Sequence, residues 1–193
     1  YNETNGTAIS PTPTIGAVGI LKNYKNVIHM EPKNNETLFV VGKTKGHLAQ
    51  SALRYELLDD KSGDCPAVNL GLEKRTGNFI LEANTLGLIS AVHDISDGGI
   101  ALAVAEMAIR GNIGIKIVSG SIAWYFGEDQ SRYLISCKAK QNKTLVKLAK
   151  DRKLILTKVG KVGGSELIMG DEKVLLENLT DAHSNGLNSL FYS

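Results

Sequence analysis

One short segment, residues 93–99 (HDISDGG), most constrains how this chain can fold. An apolar run at residues 89–92 precedes it and predicts a buried strand, and apolar residues at helical spacing follow it over residues 100–110. A strand, a polar glycine-containing turn and a helix in this order bring backbone N–H groups to one point at the start of the helix. Such a point can bind an anion.

Five residues of this segment are candidate contacts to a phosphate or a phosphorylated substrate: Asp94, Ser96, Asp97, Gly98 and Gly99. Glycines let a ligand approach the backbone closely, and Ser96 or Asp97 could cap the helix. The alternative is an ordinary N-cap followed by turn glycines. Because two carboxylates beside an anion repel it, we expect at least one aspartate to turn away and accept backbone N–H groups as a cap.

Four separated segments of the chain resemble one enzyme family in their order and spacing. They are residues 1–16 (with YNETNG and PTPTIG), 41–46 (VGKTKG), 93–107 and 126–133 (FGEDQSRY). Together they are similar to the phosphoribosylformylglycinamidine synthases, in the synthetase subunit. The combination separates this family from the related aminoimidazole ribonucleotide synthases, selenophosphate synthetases and thiamine-phosphate kinases.

The resemblance implies a fold and a domain division. The fold is α+β, a layered sheet-and-helix domain like the C-terminal domain of the aminoimidazole ribonucleotide synthase superfamily. Residues 1–30 would be the terminal strands of a preceding ATP-binding domain, and residues 31–193 the C-terminal α+β domain. With 193 residues the chain is shorter than family members, so we expect it to be their C-terminal portion. Residues 1–30 would then form a dimer contact or be mobile.

The resemblance also implies a reaction. The family converts formylglycinamide ribonucleotide to formylglycinamidine ribonucleotide, using ATP, Mg²⁺ and ammonia from glutamine. It is an ATP-dependent C–N ligase of the cytoplasm that works with a glutaminase subunit and a small bridging subunit. Its catalytic residues would lie in preceding domains, so we expect no catalytic residue, no metal ligand and no tightly bound cofactor here. The chain alone would be inactive.

The sequence leaves two alternatives open. The chain could be a non-catalytic scaffold domain of that enzyme, since the whole enzyme contains two such domains. It could also be the C-terminal domain of a related ATP-dependent enzyme with a different small substrate.

Composition excludes several other classes of function. The hydrophobic fraction of 42% and charged fraction of 22% are typical of globular domains. A net charge of +2, without clustered basic and aromatic residues, does not indicate nucleic-acid binding. No apolar run approaches the ~18 residues that a membrane span needs. Cys65 and Cys137 are isolated, which indicates neither a metal site nor a disulfide framework.

Two further motifs have both a chemical and a structural interpretation. Residues 42–44 resemble the end of a phosphate-binding P-loop, but Thr37 stands where the earlier glycine belongs, so a plain loop is favoured. His93 has the side chain of a general base, yet a hydrogen-bonded histidine at a strand end is the favoured interpretation.

Charged pairs also carry two interpretations. Glu128 and Asp129 could bind a divalent cation; we favour closure of a loop by pairing with Arg132 or with backbone N–H groups. Glu106 and Arg110 stand four residues apart and predict a surface ion pair.

The order of predicted elements mixes strands and helices without a regular βαβ rhythm, which favours an α+β fold. Residues 1–10 are predicted to be extended, and Gly111 is predicted to end the third helix. The predicted strands are 15–21, 37–41, 89–92, 113–118, 133–138, 154–159 and 166–169, and the predicted helices are 48–58, 70–85, 100–110, 144–152 and 174–182.

Overall fold

A computed structural model describes residues 2–9, 13–21 and 23–186. Parts of the predicted N-terminal and C-terminal segments, residues 1, 10–12, 22 and 187–193, lie outside the described residues. The strands are β1 (Glu3–Thr4), β2 (Thr7–Ala8), β3 (Thr37–Val41), β4 (Ala91–Asp94), β5 (Ile115–Ile117), β6 (Tyr133–Cys137), β7 (Leu156–Val162), β8 (Glu166–Met169) and β9 (Glu172–Leu175). The helices are α1 (Ala52–Leu58), α2 (Leu70–Thr85), α3 (Gly99–Gly111), α4 (Ile122–Phe126), α5 (Asn142–Asp151) and α6 (Leu176–Asn185).

Seven strands form one sheet in the order β4-β6-β3-β7-β5-β8-β9. Neighbouring strands are antiparallel except β5 and β8, which are parallel. The strand β3 lies inside the sheet, paired with β6 on one side and β7 on the other. The mixed sheet with its packed helices confirms the predicted α+β class.

The sheet is covered on both faces because its central strands are apolar on both faces. In β3, Leu38 and Val40 belong to a core that includes α3, whereas Phe39 and Val41 belong to a core with α2 and α5. All five residues of β3 are buried. Burial of such side chains contributes roughly 1.5–3 kcal/mol each. The two cores make a three-layer arrangement of helices, sheet and helices.

Several predicted boundaries agree with the structure, and others are wrong. The bounds of β3, β8 and α2 are those predicted. The predicted strand at residues 15–21 is wrong: the described residues there form no strand, and Ile15, Val18 and Ile20 are exposed. The predicted helix 174–182 starts at Leu176, since residues 172–175 pair with β8. The helix α3 includes Gly111 as its last residue, and the C-cap residue is Asn112, whose φ is +47°.

The predicted domain division, 1–30 and 31–193, stays a prediction. The hairpin of β1 and β2 makes an exposed two-stranded ladder through an Asn5–Gly6 turn. The following segment contacts the seven-stranded sheet, since the carbonyl oxygen of His29 accepts a hydrogen bond from the N–H of Val92 at 3.0 Å.

Candidate functional site at the turn between β4 and α3

The turn between β4 and α3 places the predicted contact residues together at one end of the sheet. Asp94 ends β4, and Gly98 is the N-cap residue of α3 with φ +71°. Ser96 and Asp97 are exposed, whereas Gly98 and Gly99 are buried. The turn is closed by the N–H of Gly99, which donates to the carbonyl oxygen of Ser96 at 3.0 Å.

The helix is capped by a residue that the sequence does not indicate. The prediction that Ser96 or Asp97 caps α3 is wrong, because the N–H of Gly98 donates to the Glu128 carboxylate, Oε1, at 2.8 Å. The same oxygen accepts the N–H of Ala52, in the first turn of α1, at 2.7 Å. One carboxylate therefore holds the starts of two helices. Glu128 lies 30 residues from Gly98 in the chain, and no local pattern connects them.

The two glycines of the turn are required by packing. A Cβ on Gly99, whose φ is +64°, would lie 2.7 Å from the carbonyl oxygens of Tyr125 and Gly127. A Cβ on Gly98 would lie 2.7 Å from the side chain of Leu102. Real Cβ atoms do not come so close to other heavy atoms, and a positive φ disfavours residues with side chains. Gly98 and Gly99 therefore have a structural role whether or not a ligand binds.

The 128–132 loop is fixed by buried polar contacts, as the favoured interpretation predicts. Asp129 Oδ2 accepts the N–H groups of Lys45 at 2.7 Å and Gly46 at 2.8 Å. Arg132, only 2% exposed, donates to the carbonyl oxygens of Gly127 and Asp129 at 2.6 and 2.9 Å. Burial lowers the pKa of Arg132, and the charges of Asp129 and Glu128 oppose that effect. The carboxylates close the loop.

A small cavity lies beside the turn. Its volume is about 160 Å³, and Glu73, Asp94, Ser96 and residues 130–133 are among the residues that line it. Ser131 Oγ donates to Glu73 Oε1 at 2.8 Å across this region. The exposed hydroxyl of Ser96 and the carboxylate of Asp94 thus face a polar pocket, which can accommodate a polar group of a ligand.

His93 lies in the edge strand β4, next to Asp94. Its side chain is 12% exposed, with Nε2 at 2.6 Å from Glu106 Oε2 and Nδ1 at 3.2 Å from Asp94 Oδ1. This geometry agrees with the hydrogen-bonded interpretation of His93. The predicted Glu106–Arg110 pair is wrong, since Glu106 contacts His93 and Arg110 lies 3.6 Å from Glu31. The expectation that at least one of Asp94 and Asp97 accepts backbone N–H groups as a cap is wrong, because Asp94 contacts His93 and the carboxylate at the start of α3 is that of Glu128.

The two cysteine thiols differ in burial. Cys137 is buried; burial, and then the charge of Glu36, raise the pKa of its thiol to about 11. Cys65 is exposed and is not paired with it.

Within residues 2–9, 13–21 and 23–186, no group of three or more His, Cys, Asp or Glu side chains is arranged to hold a metal ion. In the same ranges, no helix is long and apolar enough to cross a membrane.

Comparison with known proteins gives consistent matches over most of the chain. A family model described as AIR synthase related protein, C-terminal domain, matches residues 33–170. The phosphoribosylformylglycinamidine synthase subunit PurL of Cereibacter sphaeroides is 46% identical over 183 residues, 95% of this chain and 25% of the relative. The PurL subunit of Jannaschia sp. is 44% identical over 191 residues, 99% of this chain and 26% of the relative. The chain spans about a quarter of the length of these relatives.

Solved structures share the fold. Thermotoga maritima PurL complexed with FGAR superposes with a TM-score of 0.68 at 15% identity, covering 81% of this chain and 30% of the other. The same protein complexed with ATP gives 0.63 at 15% identity, covering 81% and 28%. At this identity the likeness shows the fold alone. The family match over residues 33–170 shows that the chain belongs to the family of AIR synthase related proteins, C-terminal domain, and the sequence identity shows that it is homologous to a part of PurL.

Proposed function

We propose that the chain is a part of an ATP-dependent C–N ligase of purine biosynthesis, which converts formylglycinamide ribonucleotide to formylglycinamidine ribonucleotide with ammonia derived from glutamine. The identity of 44–46% to PurL subunits, over nearly the whole chain, supports this assignment. Because the chain spans about a quarter of those relatives, the reaction belongs to the larger protein. We expect no catalytic residue in the described domain.

In this proposal the turn between β4 and α3 contacts the phosphate of the substrate or nucleotide. The observation that carries it is the exposed Ser96–Asp97 step at the start of α3, a 13-residue helix, beside the polar cavity. N–H groups of a first helical turn lack intrahelical partners, and the helix dipole stabilises an anion there by roughly 0.3–1 kcal/mol. Gly98 and Gly99 would contribute by allowing the positive φ angles that the turn needs. Asp94 would stay beside His93.

Cofactors and partners follow from the same assignment. Thermotoga maritima PurL has been solved with ATP, ADP and FGAR, and as PurLQS. By homology we assign to the ligase containing this chain ATP with Mg²⁺, a glutaminase subunit, a small bridging subunit and a cytoplasmic location. Residues 1–30 would complete an ATP-binding domain, or join two chains if that domain were missing.

A scaffold role without ligand contact is the second candidate. It is favoured by the burial of Gly98 and Gly99 and by the Glu128 carboxylate, which already accepts one N–H group at the start of α3. In that case the turn would serve only to connect β4 to α3 and to pack against the end of α4.

The two candidates are separated by exposed residues, since changes at the buried glycines would disturb packing. Ser96→Ala and Asp97→Asn should be made in the ligase that contains this chain, with Ser184→Ala on the exposed face of α6 as a matched control. We expect Ser96→Ala to lower kcat/KM for formylglycinamide ribonucleotide roughly tenfold, with an unchanged Tm, because a charge-assisted contact from the hydroxyl to the phosphate is lost. Asp97→Asn removes a charge that repels the phosphate, so it should not lower kcat/KM. Unchanged kinetics in both variants would support the scaffold role.

A further inference from the structure

A second cavity, next to the turn but distinct from it, has a basic wall. Its volume is about 320 Å³, and the side chains lining it include Lys43, Lys45 and His47 from the loop after β3. Both lysines are exposed. Among the described residues, the lysines found in ion pairs are Lys147 and Lys173, so neither Lys43 nor Lys45 has a carboxylate partner. Two unpaired ammonium groups therefore border one concave surface.

The one carboxylate of this lining, that of Asp129, already has fixed partners. Asp129 Oδ2 accepts two N–H groups, those of Lys45 and Gly46, and lies 3.9 Å from Nη1 of the buried Arg132. Its charge is therefore partly offset by these fixed partners, and it opposes an incoming anion less than a carboxylate without partners would. The same contacts fix the backbone that carries Lys45, so the lysine side chains project from a rigid loop.

The other lining groups suit a small polar ligand with an apolar part. His47 Nε2 donates to the carbonyl oxygen of Asp64 at 2.9 Å, which fixes the imidazole in the wall. Asn69 Oδ1 accepts the N–H of Leu72 at 2.9 Å, so its amide NH₂ is the donor left for a ligand. Pro66, Ala67 and Leu72 form an apolar part of the wall, and the polar residues Gln130 and Ser131 complete the lining.

We propose that this cavity binds a phosphorylated small molecule, with the phosphate or diphosphate held by Lys43, Lys45 and the Asn69 amide. Lysine acts as a point charge toward phosphate and needs no planar geometry, which fits two flexible side chains on one loop. The P-loop resemblance of residues 42–44 is not the basis of this proposal, because the N–H groups of Lys45 and Gly46 are taken by Asp129. The proposal does not depend on phosphate contact at the turn between β4 and α3.

The test is titration of the chain with pyrophosphate, followed by the amide NMR spectrum. We expect saturable shifts at residues 43–47 and 66–72. Lys43→Gln with Lys45→Gln should weaken binding roughly tenfold or more. The matched control is Lys138→Gln with Lys140→Gln. These two lysines have the same spacing and are also exposed, and they are not among the residues that line the cavity, so the control removes the same charge elsewhere. We expect the control to bind like the parent. Thermal unfolding of all three proteins checks that they are equally folded.

Three results of the pyrophosphate titration would overturn the proposal. They are the absence of saturable binding, an equal loss of affinity in the control variant, and shifts confined to residues 94–99. The last result would instead support phosphate contact at the turn, so failure of one proposal is distinguished from failure of the other. A parallel titration with adenosine and ADP separates the parts of the ligand: binding of adenosine as strong as that of ADP would also refute recognition through phosphate.

Discussion

Two neighbouring regions are fixed by adjacent carboxylates in different ways. At the turn between β4 and α3, Glu128 accepts the N–H of Gly98 and of Ala52. At the loop 43–47, Asp129 accepts the N–H groups of Lys45 and Gly46. Asp129 also lies 3.9 Å from the buried guanidinium of Arg132, whereas the charge of Glu128 has a smaller effect on the pKa of that group.

This difference bears on where an external anion can bind. In the turn, an internal carboxylate already takes part of the helix N-terminus, and Asp94 adds a second negative charge nearby. In the loop, the charge of the internal carboxylate is partly offset and the exposed side chains are lysines. The turn between β4 and α3, whose sequence resembles an anion site, is thus the more acidic of the two regions. The loop, which lacks a full phosphate-binding motif, has the more favourable charge.

The largest effect should come from removing the carboxylate that balances Arg132. Asp129→Ala leaves a guanidinium that is 2% exposed without its carboxylate and two N–H groups without an acceptor. Breaking a buried pair in this way costs about 3–5 kcal/mol. Glu128→Ala, which removes helix caps alone, should cost only about 1–2 kcal/mol. Urea unfolding of both variants measures the difference.

Asp129→Asn keeps an acceptor oxygen for the two N–H groups and should recover part of the loss. Equal destabilisation by Asp129→Ala and Glu128→Ala would contradict the distinction between the two regions.

The next effect concerns the backbone of the turn. Gly99→Ala places a Cβ 2.7 Å from two carbonyl oxygens at a positive φ, and we expect a loss of about 3 kcal/mol in the free energy of unfolding. Gly87→Ala is the matched control, since Gly87 has φ +63° and nothing within 4 Å of its Cβ position. Gly87→Ala should lower the free energy of unfolding only by the cost of placing a side chain at a positive φ, about 1 kcal/mol. A similar cost in both variants would mean that α4 moves aside without penalty.

The fold could be predicted from sequence where the local pattern agrees with the tertiary contacts. The helix α2 has the predicted bounds because its apolar spacing coincides with a real cap, Asn69 Oδ1 accepting the N–H of Leu72. The sequence does not predict the helix α4, because its aromatic run lacks helical periodicity. Its start depends on Ser121, whose Oγ accepts the N–H of Trp124 at 3.1 Å. Pairing of β9 with β8, a tertiary contact, overrides the helical pattern before Leu176.

The candidate site shows the same limit. The position of the turn and the closure of the 128–132 loop could be predicted from neighbouring residues. The actual partners could not, because the Glu128–Gly98 and Asp129–Lys45 contacts join residues 30 and 84 positions apart. A prediction that pairs each polar side chain with its local neighbours assigns the caps to Ser96 or Asp97. The fold instead brings in a distant carboxylate.

The smallest effect concerns the segment that leads to the apolar wall of the basic cavity. Asp60 is bonded to Ser62 and to Arg54, and its pKa is lowered from 3.8 to about 2, first by the hydrogen bonds from Ser62 and then by Arg54. A lowered carboxyl pKa stabilises the folded state above pH 3.8, and this stabilisation is lost as the pH falls toward about 2. Asp60→Asn should therefore be slightly less stable than the parent at neutral pH, with the gap closing over that range, since an exposed pair contributes little. Asp59→Asn, at the exposed adjacent position, is the control in acid-unfolding curves. If Asp59→Asn and Asp60→Asn give the same pH profile, the Ser62 and Arg54 contacts do not hold the segment before Pro66, and the apolar wall of the cavity is not anchored from this side.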